Sequence, residues 1–317
     1  MIKISDLKFK YKNHNVLDIK NLSLNTQKTT ALLGLNGSGK STLLKIIAHL
    51  IKPNFGEIKI WGKDKLSLNE LKEISILLPE PFLLKRSVRE NFKFALNTRG
   101  KLHEFNERVG EALELVGLGW EFLDKRHFEL SSGQNKRIAF ALVLSLRSRL
   151  NLLDEPTNAV DLATSKLFSK AILYQKQRYN SGFIIATHDE KWISAISNES
   201  VFLHEGKVSE FELKNIFNAN FGVIDFGTFR LNLPDEMKNA AKIAINQNLI
   251  NLSKIAFENA NFGLLHSISL INKDEILIKI KTGDFLIKCV KKQNEITGLK
   301  TGDFIYFEVP KNAFLSL

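Results

Sequence analysis

The run Gly34-Leu35-Asn36-Gly37-Ser38-Gly39-Lys40-Ser41-Thr42 has the spacing G-x-x-x-x-G-K-[ST]. Glycines, free of Cβ strain, let such a turn curl until successive backbone N–H groups point inward, a shape that suits phosphate oxygens. A helix opening at the turn adds the partial positive charge of its N-terminus. In this pattern Lys40 neutralises the terminal phosphates of a nucleotide and the Ser41 hydroxyl binds Mg2+; Asn36, Gly37, Ser38, Gly39 and Thr42 complete the candidate phosphate site. A second run, Leu150-Asn151-Leu152-Leu153-Asp154-Glu155-Pro156-Thr157, is an apolar stretch ending in two acids. Ligands of open α/β sheets bind beyond the carboxyl ends of the strands. Asp154 is therefore expected to hold the magnesium, directly or through water, and Glu155 to polarise an attacking water.

Such residues need buried strands that end together and helices that start beside them. Thr30 to Leu33 predicts a short buried strand leading into the glycine turn, and Ser41 to Leu50 the helix behind it. Ile74 to Leu78, Leu150 to Leu153 and Phe183 to Ala186 are apolar runs bounded by polar residues, as parallel strands covered on both faces are. Ile2 to Leu24 and Ile58 to Trp61 read as further strands, residues 88–125 as a helical insertion, and Ile138 to Leu146 as a helix. Strands alternating with helices indicate an α/β core. The texture changes near residue 220. After one more helical stretch, Asp235 to Ala241, strands at Ile276 to Ile280, Phe285 to Val290 and Phe304 to Val309 are separated by Gly-Asp turns at 283–284 and 302–303, which suggests a small barrel. The expected domains are residues 1–220 and 221–317.

The chain has 317 residues, 44% apolar and 25% charged, within the range of ordinary globular proteins. One cysteine, Cys289, excludes an internal disulfide framework and fits a reducing compartment. No basic stretch followed by an apolar one stands at the start of the sequence, so no secretory leader is expected, and the longest clean apolar run, Ile138 to Leu144, is far short of the roughly 20 residues that span a bilayer. A membrane role is therefore expected only through a partner. The net charge is +11, and residues 221–317 carry little of it, with 12 Lys and Arg against 10 Asp and Glu. No basic run is long and none alternates with aromatic residues, so the excess reads as solvated surface and no nucleic-acid partner is expected.

Leu130-Ser131-Ser132-Gly133-Gln134, followed by Asn135-Lys136-Arg137, resembles the LSGGQ signature of ABC-transporter ATPases, with Ser132 in place of its first Gly. Thr187-His188-Asp189 resembles that family's switch histidine and Asn158-Ala159-Val160-Asp161 its D-loop, while Tyr11 stands where an adenine-stacking aromatic is expected. These motifs follow the family's order over residues 1 to about 215. The resemblance implies a P-loop NTPase core of ABC type, with an N-terminal antiparallel β subdomain and a helical insertion. It further implies an ATP- and Mg2+-dependent ATPase working as a homodimer. Each ATP lies between one subunit's phosphate loop and the other's Ser131, Ser132, Gly133 and Gln134, with Glu155 and His188 as the catalytic pair and Asp161 in the D-loop. By the same resemblance the dimer is expected to drive a transmembrane permease from the inner face of the plasma membrane, served indirectly by a solute-binding protein. One departure stands out. The family has a Gln at the end of the strand Ile74 to Leu78, and here the run is Leu77-Leu78-Pro79-Glu80. Proline has no side-chain donor or acceptor, so the contact of that Gln is lost or taken over, Glu80 being one substitute. Phe82, Leu83 and Leu84 either help to form a groove for a cytoplasmic helix of the permease or are buried under the insertion.

Lys242 to Ser253, Asn259 to Gly263, Leu299 to Asp303 and Pro310 to Phe314 resemble, loosely, the TOBE/Mop-like OB-type barrels of importer ATPases. Sugar and polyamine importers of that kind usually carry a longer tail, and the room here is for a single barrel, so the resemblance implies a tungstate or molybdate importer, with an importer ATPase for another solute (sulfate, iron or sugar) as an alternative. An ATP-binding regulatory subunit with weak hydrolysis is a further alternative, raised by Pro79.

Overall fold

The computed structural model describes residues 1–80, 82–209, 215–270, 275–295 and 298–316. The chain forms two compact units, Met1–Val208 and Ser209–Leu317.

In the first unit, β1 (Ile2–Tyr11) and β2 (His14–Leu24) form a hairpin and β3 (Thr29–Leu33) runs into α1 (Lys40–Ile47). β4 (Phe55–Ile60), the single turn α2 (Leu68–Leu71) and β5 (Ile74–Leu77) follow. The helical insertion is α3 (Val88–Thr98) and α4 (Phe105–Leu115), with 3-10 turns at Leu102–Glu104 and Trp120–Asp124. Then come α5 (Ser132–Ser145), β6 (Leu150–Asp154), α6 (Leu162–Tyr179), β7 (Gly182–Ala186), α7 (Glu190–Ser194), β8 (Glu199–His204) and β9 (Lys207–Ser209).

The first sheet, β2-β1-β4, is antiparallel and is the expected N-terminal β subdomain. Along β1 the buried positions are Ile2, Ile4, Leu7 and Phe9, so strict alternation slips by one residue. The slip falls at Asp6, whose φ of 49° is left-handed, and the β1–β4 register shifts at the same place. A bulge of this kind re-aims the strand so that Leu7 and Phe9 still face the core.

The second sheet has the order β5-β6-β7-β3-β8-β9, with β5 through β8 parallel. β3, β6 and β7 are buried at every position. Their side chains alternate between two cores, as a period of two requires. Ala31, Leu33, Leu153, Phe183 and Ile185 join Phe92, Val109, Phe140 and Phe168 of the helical layer. Leu32, Leu152, Ile184 and Ala186 join Leu43, Ile46 and Ile47 of α1 and the inner face of the first sheet. Both faces are therefore covered, and the carboxyl ends of β5, β6, β7 and β3 are adjacent in space along one edge.

The second unit is β10 (Asn215–Asn218), β11 (Val223–Asp225), β12 (Arg230–Asn232), β13 (Lys242–Ile245), β14 (Asn251–Ser253), β15 (Asn261–Leu270), β16 (Glu275–Thr282), β17 (Phe285–Lys292), β18 (Phe304–Glu308) and β19 (Phe314–Ser316). The expected barrel is an antiparallel half-barrel sheet, β14-β18-β15-β16-β17, which shares one core with the small sheets β10-β13-β19 and β11-β12. Gly283-Asp284 makes the two-residue turn between β16 and β17, where Thr282 pairs with Phe285. Phe226 stacks on Phe229 at 4.7 Å and meets Phe217 edge-on at 4.8 Å inside this core.

Two expectations are revised. The helix expected over Asp235 to Ala241 is only a 3-10 turn, Asp235–Met237. Residues 242–245 are drawn instead into β13, between β10 and β19, where Ile243 and Ile245 are fully buried. Residues 215–220, expected with the first domain, group with the second, because β10 pairs with β13 and Phe217 and Ala219 enter its core. Among the described residues no helix is long and apolar enough to cross a membrane.

Candidate functional site

The buried strand β3 ends at Leu33, and the glycine turn follows at once. Gly34 has φ +145°, and a Cβ there would lie 2.2 Å from the Leu203 carbonyl oxygen. Gly39, the residue before α1, has φ +99°, and its Cβ would lie 2.5 Å from Leu17 Cδ2. Both positions are closed to any other residue by backbone conformation and by crowding. The first N–H groups of α1 have no intrahelical acceptor and face the turn. Lys40 is 7% exposed, and its ammonium donates to the carbonyls of Gly34 at 2.8 Å and Leu35 at 3.1 Å. Burial lowers its pKa, while the charges of Glu155 and Asp154 act the other way. The Ser38 hydroxyl is buried without a hydrogen-bond partner.

β6 ends in Asp154, 1% exposed, and neither of its carboxylate oxygens makes a well-formed hydrogen bond. Desolvation raises its pKa; the Ser41 hydroxyl, Lys45 and Lys40 oppose the rise, and Glu155 adds to it. A buried carboxylate with idle oxygens beside a hydroxyl is a hard-oxygen donor pair of the kind Mg2+ takes. Among the described residues no cluster of three His, Cys, Asp or Glu could hold a metal alone. The pair fits an ion whose remaining ligands are water and phosphate.

Glu155 follows with φ +48°, a left-handed conformation that costs on the order of 1–3 kcal/mol in a residue with a Cβ. The chain holds it there through the Glu155 N–H, which donates to the Ala186 carbonyl of β7 at 2.8 Å. The turn aims the carboxylate at His188, whose Nδ1 lies 2.9 Å from Glu155 Oε2. Glu155 is 15% exposed and His188 64%, so the pair opens from the buried end of the sheet toward solvent. Thr187 is buried, and its Oγ1 accepts from the Asp189 N–H at 3.1 Å, which steadies the turn that carries His188.

α5 starts with a reciprocal cap. Ser131 Oγ accepts from the Gln134 N–H at 3.3 Å, and Gln134 Oε1 accepts from the Ser131 N–H at 3.1 Å. Two of the signature residues therefore build the helix start itself. Ser132 is exposed, and a Cβ on Gly133 would meet nothing within 4 Å. Nothing among the described residues requires a glycine there. Asp161 caps α6, its Oδ1 accepting from the Thr164 N–H at 2.7 Å, and that bond lowers its pKa. Tyr11 closes β1, 48% exposed and edge-on to Phe9 at 4.8 Å.

The strand order thus gathers Lys40, Ser41, Asp154, Glu155 and His188. Among the described residues no hydrogen bond or ion pair joins Tyr11 or Ser131–Gln134 to the phosphate loop. Glu80, considered as a substitute for the missing Gln, is exposed. The side chain that meets Pro79 is one the sequence reading passed over: Lys136 Nζ donates to the Pro79 carbonyl at 2.7 Å. A lysine in the same helical phase as Phe140 and Leu144, on a stripe that is otherwise apolar, was the available signal.

A family model described as ABC transporter matches residues 17–158. The chain is 39% identical over 308 residues to the tungstate uptake system ATP-binding protein TupC of Campylobacter jejuni, a match covering 93% of this chain and 92% of that protein. It is 32% identical over 210 residues to TupC of Peptoclostridium acidaminophilum, covering 66% of this chain and 97% of that one. Among solved structures, a dimeric post-hydrolysis ATP-binding cassette bound to ADP and Pi is similar at a TM-score of 0.61 and 26% identity, over 66% of this chain and 97% of that one.

Proposed function

Because the chain belongs to the ATP-binding subunits of ABC transporters, we propose that it is the ATP-hydrolysing subunit of an importer for an oxyanion, tungstate or molybdate. The observation that supports the cargo is the 39% identity to a TupC protein along 93% of the chain, a span that takes in the C-terminal unit as well as the cassette.

In this reading Lys40 leaves its two loop carbonyls for the terminal phosphates of ATP, joined by the N–H groups of Gly37, Ser38 and Gly39, with Asn36 and Thr42 flanking and Tyr11 against adenine. Ser41 and Asp154 hold the magnesium ion, which supplies neutralisation of phosphate charge when bound. Glu155 takes the proton of the attacking water, and His188 steadies that carboxylate through the 2.9 Å contact. A second copy closes the site: Ser131, Ser132, Gly133 and Gln134 of the partner subunit aim helix N–H groups at the γ-phosphate, with Asp161 at the seam. ATP then holds two copies together until hydrolysis releases them, and the motion drives a permease at the inner face of the plasma membrane, to which a solute-binding protein delivers cargo. The exposed apolar side chains Phe82 and Leu84 support docking of such a membrane subunit.

Gly133→Asp separates folding from assembly. A Cβ there meets nothing within 4 Å among the described residues, so stability should stay within about 0.5 kcal/mol, as at other free surface positions. Its carboxylate would face the phosphates of the other copy, a like-charge contact costing several kcal/mol. Loss of ATP-dependent dimerisation and hydrolysis with an unchanged melting temperature is the expected result; a variant that dimerises normally on ATP counts against the shared site. The cargo is tested with the assembled transporter in proteoliposomes together with its binding protein. Tungstate or molybdate should stimulate ATP hydrolysis and uptake, and equal stimulation by sulfate or iron would overturn the assignment.

A further inference from the structure

Lys136 lies one turn inside α5 and is 5% exposed. A buried ammonium is among the least favourable groups to place in a protein interior. Its ammonium donates to the carbonyl of Pro79 at 2.7 Å. The carboxylates whose charges act on it are Asp154 and Glu155, the two acids at the end of β6. β5 and β6 pair in parallel with Leu77 beside Leu153, so three chain segments meet near this side chain: the end of β5, the end of β6 and the second turn of α5.

Pro79 explains what is needed there. Proline has neither an N–H nor a polar side chain, so its carbonyl is the only polar group it offers. The Gln that the resemblance leads one to expect there would offer a side-chain donor, and Pro79 cannot. Fold stability gives no reason for Lys136. Met would fill the same space without the desolvation cost, and replacing a buried charge by an apolar residue of similar volume is often neutral or stabilising.

We infer that Lys136 is a positioning residue for ATP hydrolysis, supplying from α5 the donor and the positive charge that Pro79 lacks and tying the end of β5 to the Asp154–Glu155 pair. The inference rests on the hydrolytic reading above and deepens it. Its action runs through the strand end and the two carboxylates. It also places the polar link between the β5 end and the catalytic acids on the signature helix, so a shift of that helix when two copies close reaches both.

The test uses the full chain in the assembled transporter, with Glu155→Gln as the reference. Lys136→Met should lower kcat by about 10–100-fold, the range seen when outer-shell partners are removed. Binding of a fluorescent ATP analogue, measured with and without magnesium, and the melting temperature should stay near the native values. Lys136→Arg keeps charge and donors and should retain most of the native turnover. Pro79→Gln added to Lys136→Met should recover part of the lost turnover, a rescue that a merely structural lysine would not show. Native kcat in Lys136→Met overturns the inference. So does a loss of kcat accompanied by lost nucleotide affinity and stability, with no rescue by either second variant. If Glu155→Gln is inactive while Lys136→Met is normal, only this inference fails; if Glu155→Gln also hydrolyses at the native rate, the hydrolytic reading itself fails.

Discussion

Glu155→Gln is expected to lower steady-state ATP hydrolysis by about 10²–10⁴-fold, the usual contribution of a positioned general base, while ATP still binds. The reason is local. The amide has nearly the size and shape of the carboxylate, and its oxygen can still accept from the Nδ1–H of His188 across the 2.9 Å contact. The left-handed turn at residue 155 is held by the bond from its own N–H to Ala186, which the substitution does not touch. What disappears is the basic lone pair that takes the proton of water. The phosphate loop and Asp154 are unaltered, so nucleotide affinity should stay near native. An uncleaved nucleotide should also keep two copies together, and the variant should elute as a dimer with MgATP where the native chain does so only transiently. Phosphate release measured beside equilibrium nucleotide binding decides the matter, and unchanged turnover would remove Glu155 from its role.

Lys40→Met should act on binding. Lys40 is 7% exposed, and its ammonium, desolvated by burial, is held by two loop carbonyls before any phosphate arrives. Much of its solvation cost is therefore met in the folded chain, and an arriving phosphate exchanges neutral acceptors for charged ones. Charge-assisted hydrogen bonds contribute about 1.5–3 kcal/mol, so affinity for ATP should fall roughly ten- to 150-fold. The loss should be large for ATP and slight for AMP, since Lys40 serves the terminal phosphates. Titration of both variants with a fluorescent ATP analogue separates them: Lys40→Met binds weakly, and Glu155→Gln binds well and does not turn over. Equal loss for ATP and AMP would mean that the loop had collapsed through the orphaned carbonyls of Gly34 and Leu35.

Some of this was readable along the chain because it depends on neighbours in sequence. A glycine is demanded at 34 and 39 by positive φ and by backbone crowding, and the spacing to Lys40 and Ser41 is covalent. β3, β6 and β7 announced themselves as uninterrupted apolar runs because a strand covered on both faces has no solvent side to mark. The half-barrel strands showed through their turns, as at Gly283-Asp284. Other features were invisible for equally physical reasons. The phase slip at Asp6 breaks the alternation that pattern reading relies on. The stretch from Asp235 to Ala241 has helical spacing, yet the residues that follow it are taken into a sheet by pairing with two strands distant in sequence. The boundary moved because β10 finds its partner beyond residue 240.

The phosphate loop, the acidic strand end and the family they belong to are properties of short segments, where local backbone preference and side-chain chemistry suffice. Which of those segments meet is a property of strand order. Glu155 and His188 stand 33 residues apart and Pro79 and Lys136 57 apart. They come within hydrogen-bond distance because β5, β6 and β7 lie side by side in parallel, so that their carboxyl ends share one edge, and because α5 covers that sheet with a lysine where its own pattern calls for an apolar residue. Long-range burial selects such pairings, and no single stretch of chain carries enough of that energy to reveal them alone.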